Sequence, residues 1–118
     1  MSQVSYYEWA SLPQTPMTPQ INRRLVSGEK LMFVQLSLER GAIVGVHSHP
    51  HEQMTHVVSG KLEFEAQGEK RTLNRGEVAL VPANIPHGAV ALEDTVTLEA
   101  FSPPREDFLS GQKADYMK

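Results

Sequence analysis

The chain is punctuated too often to build long elements. Eight glycines and eight prolines are spread over 118 residues. Between them no stretch sustains a 3.6-residue apolar period with helix caps, apart from a turn near residues 105–109. The intervals alternate instead. In residues 31–39, Met32, Val34, Leu36 and Leu38 share one face. In residues 61–66, Leu62, Phe64 and Ala66 share a face opposite Lys61, Glu63 and Glu65. In residues 95–101, Val96, Leu98 and Ala100 share one face. Residues 78–81 form a short apolar run between Gly76 and Pro82. Ser59-Gly60, Gln67-Gly68, Asn74-Arg75-Gly76 and Glu93-Asp94 separate these runs as turns. Many short alternating strands with Gly-rich turns predict an all-β barrel or sandwich.

Composition removes several classes of function. The 11 basic and 14 acidic residues give a net charge of -3, so the basic footprint of a nucleic-acid binder is missing. No apolar run approaches the roughly 20 residues of a membrane helix. The start, MSQVSYYEWAS, lacks the cationic and apolar regions of a secretory signal, which predicts a cytoplasmic protein. With no cysteine, disulfides, thiolate nucleophiles and thiolate metal sites are excluded. The expected layout is an N-terminal arm over residues 1–24, a barrel over 25–110 and a polar tail over 111–118. Pro13, Pro16 and Pro19 suit an extended arm lying on the barrel or on a neighbouring subunit.

Four of the five histidines fall within ten positions, at His47, His49, His51 and His56, and the fifth is His87. On a strand, His47 and His49 project together and form a chelating pair, and His87 supplies a long-range third imidazole. The next ligand candidate is Gln53 or Glu52. Alternation puts Gln53 in phase with the two histidines, although Pro50 interrupts the run. His51, following Pro50, is expected in an exposed turn, and His56 is expected to face away from the cavity.

The spacing carries a resemblance. Gly41, five residues, His47-x-His49, three residues, Gln53, six residues and Gly60 form one motif. Gly76, five residues, Pro82-x-Asn84, two residues and His87 form another. Together they resemble the cupin family, which implies a double-stranded β-helix, a jelly-roll barrel of antiparallel strands. Gln53 stands where the family usually has Glu, Asn84 where it has Gly, and Ala91 where it has Asn. Asn tolerates left-handed backbone well. A neutral amide with three imidazoles leaves a divalent metal's charge uncompensated, which favours Lewis acid chemistry on an anionic oxygen substrate.

Residues 47–53, 81–94 and 101–109 look like the small single-domain cupins of the KdgF type. That resemblance implies one divalent transition metal (nickel, zinc, iron, cobalt or manganese) on His47, His49, Gln53 and His87. It also implies a pocket lined by Glu99, Phe101 and Arg105. The family acid is an Asp, and the extra methylene of Glu99 moves the carboxyl by roughly 1.5 Å. By alternation alone, Glu99 and Phe101 share the face opposite Val96, Leu98 and Ala100, which can look inward only into a polar cavity. Read without the resemblance, Glu99 can equally be a solvent-facing acid, and Arg105 a surface partner of Glu106 or Asp107. Pro103-Pro104 should hold the chain extended ahead of Arg105.

The activity implied is the opening of 4,5-unsaturated uronate monosaccharides from pectin or alginate breakdown, an anionic sugar substrate, with no nucleic-acid or membrane partner. The alternatives are a cupin dioxygenase using iron and O2, and a non-catalytic metal-bearing sugar-binding protein. Small cupins also resemble homodimers, and Tyr6, Tyr7 and Trp9 could cover a partner's edge strand.

Overall fold

Two antiparallel sheets enclose a barrel in the computed structural model, which describes residues 3–110; the tail expected over 111–118 lies outside the described residues. The strands are β1 (Thr15–Thr18), β2 (Ile21–Ser27), β3 (Met32–Leu38), β4 (Ile43–His47), β5 (Glu52–Ser59), β6 (Lys61–Ala66), β7 (Glu69–Asn74), β8 (Val78–Val81), β9 (His87–Ala91) and β10 (Thr95–Ser102). A 3-10 turn at Trp9–Ser11 precedes them and a one-turn helix, α1 (Glu106–Leu109), follows. One sheet runs β1-β2-β3-β10-β5-β8 and the other β4-β9-β6-β7. Each turn dipeptide named above separates two strands. Gly60 shows why one of them is glycine: its φ is 90°, and an added Cβ would meet the Asp94 carbonyl oxygen and lie 2.7 Å from the Thr95 Cα.

The apolar parity of β3 and β6 points inward. Met32, Val34, Leu36 and Leu38 are buried, and so are Leu62 and Phe64. They meet Ile21, Val57, Leu73 and Val81 in one core, the kind of apolar burial that drives a fold of this size. On β10 the face that carries Glu99 and Phe101 is the inner one. Thr95, Thr97, Glu99 and Phe101 are the buried residues, while Val96, Leu98 and Ala100 lie on the outer face, half-buried. The inner face of β10 meets a cavity lined by apolar side chains such as Leu36 and Phe64 together with His47, Gln53 and His87, and its buried hydroxyls and carboxyl find hydrogen-bond partners there. Each buried threonine on this face is bonded, Thr95 Oγ1 to the Glu93 and Lys61 carbonyl oxygens at 2.8 and 3.1 Å, and Thr97 Oγ1 to Glu99.

The first 24 residues are not simply an arm. β1 pairs with β2, and β2 pairs with β3 along seven positions, so the expected boundary at residues 24 and 25 falls inside a strand. Alternation on β2 buries Ile21 and Arg23. On the opposite face of this sheet, register aligns Val26, Phe33, Ala100, Met54 and Leu80 in one row across five strands. Trp9 packs on Phe33 of its own barrel, with ring centroids 5.5 Å apart, whereas Met54 and Leu80 are exposed. Among the described residues no helix is long and apolar enough to cross a membrane.

Candidate metal centre

β4 ends on His47 and β9 begins on His87, and the two residues are register partners, with ring centroids 4.4 Å apart. Gly88 lets the strands approach: a Cβ there would sit 2.9 Å from the Val44 carbonyl oxygen. Phe64 stacks on the other side of His87 at 6.0 Å. His49 arrives differently from the strand pairing expected. It lies beyond β4, in the connection to β5, so period-two geometry does not place it. Two hydrogen bonds do. The Asn84 N–H donates to the His49 carbonyl oxygen at 2.8 Å, and His49 Nδ1 donates to the His51 carbonyl oxygen at 3.1 Å. Asn84 makes its bond from left-handed backbone, at φ 67°.

β5 resumes the alternation. Gln53, Thr55 and Val57 are buried, whereas Glu52 and Met54 are exposed, and His56 lies on the outer face. Gln53 Nε2 donates to Thr55 Oγ1 at 2.8 Å, which turns Gln53 Oε1 toward the histidines. That oxygen lies 3.0 Å from His49 Nε2 and 3.1 Å from His87 Nε2.

These contacts test whether the residues suit a metal. Carbonyl oxygens only accept, so each Nδ1 facing one carries the proton. His47 Nδ1 donates to the Gly45 carbonyl oxygen at 2.8 Å, and His87 Nδ1 to that of Ile85 at 2.8 Å. The Nε2 lone pairs are then left to point inward, the arrangement in which histidines bind metals. Ligand atoms of His47, His49 and His87 lie within 4.8 Å of one another. Gln53 Oε1 adds a further acceptor with no proton between it and the rings. A set of converging acceptors fits a cation.

Burial keeps the imidazoles neutral. It lowers His47 from 6.5 to about 4, with the other site histidines adding to the effect against a bond to the Gly45 carbonyl. It lowers His49 to about 4, helped by the Arg105 charge, and lowers His87 as well. Burial moves Glu99 the other way, from 4.5 to about 7, against a hydrogen bond from Thr97 Oγ1 to Oε2 at 3.2 Å and the charge of Arg105.

Glu99, Phe101 and Arg105 line one cavity with His47, Gln53 and His87, about 480 Å³ with its open mouth included. The surface reading of Arg105 is half met. The side chain is buried, yet Nε and Nη2 donate to the two Asp107 carboxylate oxygens at 3.0 and 2.8 Å. The expected extended run through Pro103 and Pro104 begins with a cis Ser102–Pro103 peptide.

His51 is not an exposed turn residue. It is buried, and Nε2 meets Glu106 Oε1 at 2.7 Å. Arg23, Thr55 and Thr97 also escaped the sequence reading. Thr55 and Thr97 were findable, since they keep phase with Gln53 and Glu99.

The family model of the cupin domain matches residues 34–102. The chain belongs to the cupin family. This cupin is 38% identical over 92 residues to the pectin degradation protein KdgF of Dickeya dadantii (strain 3937), covering 75% of this chain and 84% of that protein. Its fold matches that of KdgF from Halomonas sp. with a TM-score of 0.86 and 36% identity, over 90% of this chain and 99% of that one. An RmlC-like cupin from Shewanella frigidimarina NCIMB 400 matches with a TM-score of 0.83 and 29% identity, over 92% and 99%.

The metal-free cupin should show opposed pH effects on its stability. Histidines lowered from 6.5 to about 4 add stability present above pH 6.5 and lost as pH falls toward 4. Glu99, raised from 4.5 to about 7, adds stability present below pH 4.5 and lost as pH rises through 7. Between pH 4.5 and 6.5 the unfolded histidines outnumber the single carboxyl, so the melting temperature climbs with pH there and then dips. Thermal scans of chelator-treated protein check this, and Glu99→Gln should remove the dip.

Proposed function

We propose that this cupin opens the ring of 4,5-unsaturated uronate monosaccharides, giving the linear 4-deoxy-5-keto uronate. The observation that carries the proposal is a buried carboxyl, Glu99, and a buried guanidinium, Arg105, lining the same cavity as His47, His87 and Gln53. Identity of 38% to a pectin degradation protein supports the sugar class.

The reaction is an isomerisation, so no co-reactant is consumed. The C1 hydroxyl loses its proton as the bond from C1 to the ring oxygen breaks, and C1 becomes an aldehyde. The oxygen on C5 keeps the electron pair, and C4 takes up a proton as C5 becomes a ketone. A divalent transition metal held by His47, His49, His87 and Gln53 would supply an electrophile for that developing negative charge, with no anionic protein ligand to offset it. Glu99 moves the proton, and a pKa of about 7 suits a group that must both give and take one near neutrality. The Thr97 hydroxyl donates to Glu99 Oε2 and orients the carboxyl. Phe101, edge-on to His49 with centroids 5.8 Å apart, supplies a flat apolar wall and keeps water from the acid. Nε and Nη2 of Arg105 donate to the Asp107 carboxylate, which holds the guanidinium in place, and its positive charge at the cavity attracts the uronate carboxylate.

The test is loss of the ultraviolet absorbance of the conjugated enol ether when metal-loaded protein meets unsaturated galacturonate, compared with the spontaneous rate. A metal-dependent acceleration supports ring opening. Oxygen uptake in place of it supports the iron dioxygenase reading, and binding without turnover supports a sugar-binding protein.

We also propose a homodimer. Met54 and Leu80 on the outer row, and Tyr6 and Tyr7 ahead of Trp9, are exposed apolar groups that a second copy would cover. Light scattering should read the mass of two chains, and Leu80→Lys should shift it toward one.

A further inference from the structure

Arg105 sits one residue before α1, a helix of four residues. A single turn of helix is not stable by its own hydrogen bonds, so contacts from elsewhere decide where this one lies. Two of them come from buried side chains 55 and 85 positions earlier in the sequence. His51, in the connection that carries His49, meets Glu106 Oε1 through Nε2 at 2.7 Å. Arg23, on β2, donates from Nη2 to the Phe108 carbonyl oxygen at 3.4 Å, and its guanidinium carbon lies 4.4 Å from the Phe108 ring centroid. The guanidinium carbon of Arg105 lies 4.2 Å from the same centroid and 5.1 Å from that of Phe101. Phe108 is therefore the shared surface on which both arginines pack, at cation–π distance.

We infer that His51 and Arg23 are positioning residues that set the Arg105 guanidinium in the cavity by pinning α1 on two sides. Glu106 is the outer half of one pin, and its side chain is 81% exposed, so it serves the latch rather than the core. Phe108 passes the second pin to Arg105. Without either, Asp107 and Phe108, the α1 residues that hold Arg105 directly, lose their fixed position, and the guanidinium shifts relative to the cavity. The role in substrate binding rests on the uronate reading, whereas the pinning itself does not.

Glu106→Ala and Arg23→Gln test this, with Glu106→Gln as the conservative rescue; the exposed Glu106 keeps the test valid should an Arg23 variant fail to fold. One readout is the Nε–H NMR resonance of Arg105 in the full chain, which senses the Phe108 and Phe101 rings. The other is KM against kcat for unsaturated galacturonate on metal-loaded protein. Pinning predicts a shifted or broadened Arg105 resonance and a KM raised about tenfold with kcat little changed, metal content unaltered, and recovery in Glu106→Gln. An unmoved resonance in Glu106→Ala overturns the inference, and so does a loss of bound metal in that variant, which would place the effect on His49. A shifted resonance in a protein that does not turn over the uronate upholds the pinning and removes the uronate reading alone.

Discussion

Glu99→Gln leaves the metal bound and lowers the rate of ring opening by roughly 10²–10⁴-fold, the usual contribution of a positioned acid–base group. The substitution keeps volume and can still accept the Thr97 hydroxyl bond, so the cavity is preserved. It removes only the capacity to give and take a proton. Because burial raises the Glu99 carboxyl from 4.5 to about 7, the rate of the metal-loaded wild type should depend on pH through this group, and the glutamine variant should lose that limb. Turnover by stopped-flow ultraviolet absorbance, alongside metal analysis of the same sample, measures both. Full activity in Glu99→Gln with metal present would remove Glu99 from the chemistry and leave Arg105 and the ligand set as the only protein groups engaged.

Replacing His87 by alanine has the other large effect, and it differs in kind. His87 is buried, its Nδ1 is committed to the Ile85 carbonyl oxygen, and its Nε2 is one of the converging acceptors. Its loss takes away one imidazole and opens a void beside Phe64. Bound metal should fall below stoichiometric, and the rate should drop on the order of 10³-fold, since Lewis acid stabilisation is worth several kcal/mol. Chelation of the wild type should give the same loss, reversed by adding the metal back. A His87→Ala protein that binds metal and turns over normally would sink the four-ligand assignment. The two variants thus separate: one loses rate with metal in place, the other loses rate with the metal.

Particular residues show how far the sequence could be read. On β3 the alternation of Met32, Val34, Leu36 and Leu38 named the inner face directly, because an apolar side chain has no competing place to go. On β10 the same rule sorted the two faces but could not by itself say which one is inside. Thr95, Thr97 and Glu99 are inside since hydroxyls and a carboxyl can be buried when partners are at hand: Thr97 bonds Glu99, and Thr95 bonds the Glu93 carbonyl oxygen and, across 34 positions of sequence, that of Lys61. Asn84 was correctly read as suited to left-handed backbone, but its bond to the His49 carbonyl oxygen joins two motifs 35 positions apart and has no local signature. His51, expected in an exposed turn, and Arg23, which drew no reading, have no local signature for the same reason. Each is buried by a contact with α1, and nothing in the neighbouring residues announces it.

The sequence by itself determined the all-β class, the turns, the family and the residue types that gather at the histidine site, because alternation, glycine backbone freedom and motif spacing are local properties of the chain. Tertiary structure alone decided that β10 turns its polar face inward, that Glu99 titrates near neutrality and that α1 is pinned beside the cavity. Those outcomes depend on desolvation and on partners brought together by the fold, which no single stretch of sequence contains.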